Sequence, residues 1–140
     1  MQATQTAQSC IQAVSQPNYP FKWDSKDAGL TVSILPEIAS YYAFFEIYIH
    51  VANNSGQVCK YETQQIYALD DLNQRYEQSY SGGIYFSEIT SGHYEYDSEY
   101  LKPALSVNVK SLTVFIDKLC GYKDIKVSID LQSALLHIKK

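Results

Sequence analysis

Residues 44–54, FFEIYIHVANN, alternate in a way that few folds accommodate. Phe45, Ile47, Ile49 and Val51 point to one side; Phe44, Glu46, Tyr48, His50 and Ala52 point to the other. A period of two marks a β-strand, and this one is predicted to have one dry face and one wet face. Its β-branched and aromatic residues suit a pleated surface, and Asn53-Asn54-Ser55-Gly56 supplies the turn chemistry that ends it. Four apolar side chains on one face require a second layer to cover them, so the rest of the chain must provide more strands.

It does so in short pieces. Leu30, Val32 and Ile34 alternate with Thr31 and Ser33 until Pro36. Val58 to Asp70 continues in β style, and Asp70-Asp71-Leu72-Asn73 reads as a turn from which Gln74 to Glu77 returns. Val107 and Val109, then Leu112, Val114 and Ile116, suggest a strand whose phase is reset by a β-bulge at Lys110-Ser111. Ile125, Val127, Ile129 and Leu131 form another strand, and residues 133–138 a last strand or a short helical turn. Only weak helical patterns occur, at 3–14 and 132–139. About seven to nine strands separated by turns predict an all-β, antiparallel sandwich. Its core is expected to hold Ile47, Ile49, Val51, Leu112, Val114, Ile116, Val127 and Ile129.

The 140 residues suit one domain. Residues 1–20, with prolines at 17 and 20, read as an extension and linker, and 21–140 as the domain. Residues 78–100, with glycines at 82, 83 and 92, read as a long tyrosine-rich loop outside the main sheets. The formal net charge is −4 and the longest cationic run is Lys139-Lys140, which argues against a nucleic-acid partner. No apolar run approaches the roughly 18 residues of a membrane span. The polar stretch MQATQTAQS is no signal peptide; it fits either a leader removed ahead of it or a native cytosolic start.

An order of motifs adds a resemblance. HVANNSG closes one strand, YALDDLNQRY carries a leucine-aspartate turn followed by a tyrosine, LKPALSVNVKSLTVFI opens with leucine-lysine-proline, and IKVSIDL closes the domain. This is similar to the exported immunoglobulin-like domains of uncharacterised function in bacterial lipoproteins and periplasmic proteins, themselves similar to the secreted mycobacterial immunoprotective-antigen sandwich. The resemblance implies a periplasmic or secreted immunoglobulin-like β-sandwich that binds something, with no catalytic residues to carry over.

Candidate chemistry is sparse. Cys10, Cys59 and Cys120 lack metal-ligand spacing. In an exported protein two of them pair; Cys59–Cys120 is the favoured bridge, with Cys10 to either partner, or three reduced thiols, as alternatives. His50 and His137 read as surface positions on strands. His93 lies among Glu95, Asp97 and Glu99, where a solvated acidic loop is favoured over a carboxylate–histidine site. Asp70 and Asp71 read as turn formers rather than an acid–base pair. Asn53-Asn54-Ser55 matches a glycosylation acceptor. No serine elbow, phosphate loop, metal motif or cofactor motif occurs. What remains is aromatic. Of 13 tyrosines, Tyr80, Tyr85, Tyr94, Tyr96 and Tyr100 are the candidate contacts for a protein or glycan partner. The expectation is a non-enzymatic binding module; the alternative is a small acidic inhibitor or immunity-type protein that blocks a toxin or hydrolase.

Overall fold

The computed structural model describes residues 19–60, 63, 65–79, 88–106 and 108–138, and of 135–138 the backbone only. No helix occurs among them, and the fold is all-β. Eight strands follow one another across the principal sheet: β1 (Phe21–Asp24), β2 (Leu30–Ile34), β4 (Phe45–Asn53), β9 (His93–Lys102), β7 (Arg75–Gln78), β6 (Ile66–Asp70), β10 (Ser111–Leu119) and β11 (Tyr122–Asp130). Neighbours on this path are antiparallel. The sheet curls until its two end strands lie against each other. At that seam Trp23 and Tyr122 meet edge-on at 6.0 Å, and the Tyr122 hydroxyl donates to the Asp27 carboxylate at 2.8 Å.

The interior is built as the alternation requires. All eight core residues predicted from the sequence are buried, together with Leu30, Val32, Ile34, Phe45, Ile66, Leu101 and Ile125. Burial of this kind is worth roughly 1.5–3 kcal/mol per large apolar side chain, which is what holds the curled sheet together. Proline shapes one edge. β3 (Glu37–Ser40) continues β2 along the same edge of β4, but displaced: Ile34 faces Ile49, whereas Ala39 faces Glu46. The extra residues fall at Pro36–Ile38, where proline has no N–H to give to a ladder. β12 (Leu135–Ile138) then pairs with β3 in parallel, so the last segment is a strand rather than a helical turn.

A two-stranded sheet, β5 (Cys59–Lys60) with β8 (Glu88–Ile89), is fastened on by Asn53 and by a disulfide. The Asn53 amide donates to the Gln57 and Ile89 carbonyls at 2.7 and 2.8 Å. Buried and engaged in this way, Asn53 is unsuited to be a glycan acceptor. Cys59 is bonded to Cys120, the pairing favoured from sequence, across a separation of 61 residues. Cys120 and Gly121 form the two-residue β10–β11 turn with φ of 54° and 83°. Positive φ at both central positions suits the twist of a tight hairpin.

Two expectations are corrected here. The bulge at Lys110-Ser111 is absent: β10 begins at Ser111, and Val109 is buried from the preceding loop. Asp71 sets that start by accepting from the Lys110 and Ser111 amides at 2.8 and 3.1 Å. More consequentially, residues 93–100 are no outlying loop. They belong to β9, which pairs with β4 from Phe45↔Leu101 to Asn53↔His93, at the middle of the sheet. The Tyr-acid alternation read as loop composition is a strand's own period of two.

Candidate tyrosine face

The register between β4 and β9 sorts their side chains. Phe45, Ile47, Ile49 and Val51 share the core-facing side with Leu101, Glu99 and Asp97, and with Glu95, which is exposed where this side runs out of the core; Glu46, Tyr48, His50 and Ala52 share the exterior face with Tyr100, Ser98, Tyr96 and Tyr94. The exterior face was expected to be wet. Instead Glu46, His50 and Ala52 are buried, because aromatic rings lie over them.

Two clusters do this. In the first, His50, 2% exposed, is surrounded by Tyr19, Tyr94 and Tyr96 with ring centroids 5.3, 4.9 and 4.7 Å away. Tyr94 and Tyr96 meet each other at 5.6 Å with planes 87° apart. The Tyr19 and Tyr96 hydroxyls are 2.8 Å apart. Neither His50 ring nitrogen has a hydrogen-bond partner among the described residues, and burial lowers its pKa, so the ring stays neutral. In the second cluster the Tyr41 and Tyr48 hydroxyls both donate to Glu46 Oε1 at 3.2 Å. Tyr41 stacks on Phe44 at 4.7 Å, and Phe44 meets Tyr100 edge-on at 5.2 Å. Ser98, opposite Tyr48, is the small residue between the clusters.

Burial and the Tyr96 hydroxyl push Tyr19 up to about 12. Burial and the Glu46 carboxylate raise Tyr41 and Tyr48. These phenols therefore hold their protons at neutral pH. What the face offers is ring area: Tyr48, Tyr94 and Tyr96 are 37%, 40% and 47% exposed, each on a strand of the sheet's centre. Half-exposed rings already fixed by neighbours lose little freedom on contact with a partner.

Of the tyrosines chosen from sequence, Tyr94 and Tyr96 come together here, Tyr100 lies in the second cluster, and Tyr80 and Tyr85 fall outside the described residues, as does Cys10. His50, Tyr48 and Tyr19 were missed. The alternation did place Tyr48 and His50 on one face, but nothing local revealed that β9 would bring tyrosines beside them. His50 is therefore a correction: it is a buried base of the aromatic cluster, not a surface residue.

Other places fit chemistry less well. Tyr67 and Phe115 stack at 4.7 Å on the exterior of β6 and β10, but the Arg75 guanidinium sits 3.8 Å over Tyr67 and Lys126 lies 5.7 Å from the Phe115 ring. Those rings already have cation partners. A depression of about 460 Å³ near Leu105, Val109 and Leu131 has Lys110 as its one ionisable lining residue. No group of three His, Cys, Asp or Glu among the described residues is placed to hold a metal ion. Asp70 accepts from the Leu72 and Gln74 amides and the Tyr76 hydroxyl, at 2.7–2.9 Å, while Asp71 caps β10; the adjacent carboxylates serve separate turns. Comparison with protein-family models, curated proteins and solved structures gives no match. No helix among the described residues is long and apolar enough to cross a membrane.

Proposed function

We propose that this chain is a non-enzymatic, exported binding module, and that it recognises a protein or surface glycan through the exterior face of β4 and β9. The observation that carries the reading is the set of fixed, part-exposed rings of Tyr48, Tyr94 and Tyr96 on adjoining central strands. Aromatic side chains of this kind dominate many interfaces because they bring large area at low entropic cost. Export is supported by the Cys59–Cys120 bond, since disulfides persist in oxidising compartments. Kinship with immunoglobulin-like domains is part of the same proposal. Its support is the all-β architecture and the buried bond from Tyr76 to Asp70, in the turn that carries the resemblance.

The test is retention of material from a cell-envelope fraction on the immobilised protein, measured as bound protein and bound carbohydrate. Tyr96→Ala and Tyr48→Ala, each checked for an intact fold by near-ultraviolet circular dichroism, should lower retention at least about tenfold. Retention unchanged in both variants would contradict the proposal.

A further inference from the structure

The chemistry of the face narrows the partner. Apart from tyrosines, the ionisable side chains at the exterior positions of β4 and β9 are Glu46 and His50, both buried beneath rings, and Lys102, which is exposed at the far end of β9 opposite Glu77. The adjoining exterior positions of β2 are Thr31 and Ser33. On β1 they are Lys22 and Asp24, which pair with each other at 3.7 Å. Around Tyr48, Tyr94 and Tyr96 the face thus presents ring surface and hydroxyls with little exposed charge, Lys102 and Glu37 lying towards its end. A ligand that matches it carries apolar C–H faces, many hydroxyls and no net charge. We infer that the ligand is a neutral glycan chain, an inference that rests on the binding-module reading above.

Ring geometry favours a single chain over a flat polysaccharide surface. Tyr94 and Tyr96 stand 87° apart, forming a corner rather than a platform. One ring can lie against the C–H face of a sugar while the other meets its rim. The negative face of a tyrosine ring attracts the slightly positive C–H groups of a pyranose. Beyond this corner, the small Ser98 separates Tyr96 from Tyr100, which are four residues or roughly 13 Å apart along the strand. Tyr48 stands across from Ser98. A second sugar unit over Ser98 would meet the Tyr48 ring, so a run of several units is expected to bind better than one.

The experiment uses the intact, oxidised chain and neutral hexamers of β-linked glucose and of N-acetylglucosamine, with a uronic acid hexamer for comparison. Binding is followed by calorimetry and by the ring signals of the tyrosines in NMR spectra. A neutral hexamer should bind, shift the Tyr48, Tyr94 and Tyr96 ring signals, bind at least about tenfold better than its monomer, and weaken at least tenfold in Tyr96→Ala. Tyr96→Phe, which keeps the ring, should retain most of the affinity. Binding of the uronic acid hexamer alone would overturn the inference. So would binding of none of the hexamers while the wild-type chain still retains envelope protein through Tyr48 and Tyr96; in that case the module reading stands and its partner is a protein. Loss of both activities would overturn the module reading as well.

Discussion

Glu99 faces the interior opposite Ile47, fully buried, with Oε1 accepting from the Gln78 amide at 2.8 Å and Oε2 without a hydrogen-bond partner among the described residues. Burial, reinforced by the nearby Asp97 carboxylate and only partly offset by the Gln78 bond, raises its pKa from 4.5 to about 7. Between those values the folded chain binds more protons than the unfolded one. Stability from this residue is therefore full below about pH 4.5 and lost as pH rises through 7, by up to roughly 3 kcal/mol. Glu99→Gln should remove that slope and be the more stable protein at pH 8, as urea titrations at pH 5 and 8 would show. His50 acts in the opposite sense. Its pKa is lowered from 6.5 by burial, so the unfolded chain binds the extra proton and stability falls as pH drops below about 6.5. Tyr76→Phe tests a different kind of contact. It leaves Asp70 Oδ2 without its buried phenol donor and should cost about 1–3 kcal/mol in the same titration.

At the scale of elements, β4 and β9 carry both the core and the candidate site. Ile49→Ala should cost roughly 2–5 kcal/mol, because a fully buried position leaves a cavity. Replacing Tyr94 and Tyr96 together by serine should also be costly, about 2–5 kcal/mol, since the rings cover His50. Were 93–100 an outlying loop, the double change would be nearly silent. Thermal unfolding followed by circular dichroism distinguishes the two. The strands with clean apolar alternation, β2, β4, β10 and β11, were legible in the sequence because each buries one face against the same interior. β9 was not, because positions 95, 97 and 99 on its core-facing side are acidic, with Glu95 exposed and only Glu99 fully buried, and its exterior positions are mainly tyrosine, the reverse of the usual pattern. β3 was hidden by Pro36, which reads as an end although the chain continues along the same edge of β4 after a bulge. The candidate site was half visible: Tyr94 and Tyr96 stood out by composition, whereas their base, His50, depends on a pairing between segments more than forty residues apart.

At the scale of the molecule, one covalent bond joins the small β5–β8 sheet to the β10–β11 hairpin. Closing a loop of 61 residues is worth about 4 kcal/mol in the chain-entropy model. Reduction should lower the melting temperature by roughly 10–20 °C, and Cys59→Ala with Cys120→Ala should reproduce the drop. The Trp23–Tyr122 contact and the Tyr122–Asp27 bonds draw the two ends of the sheet together, which keeps the exterior of β4 and β9 at the centre of a supported wall. This wall is the proposed binding surface. Tyrosine nitration read by mass spectrometry, with and without cell-envelope material, tests it most directly. Tyr48, Tyr94 and Tyr96 should become protected, and Tyr67, on the opposite exterior face and beneath Arg75, should react the same in both conditions. Protection of Tyr67 with Tyr48, Tyr94 and Tyr96 left reactive would contradict it.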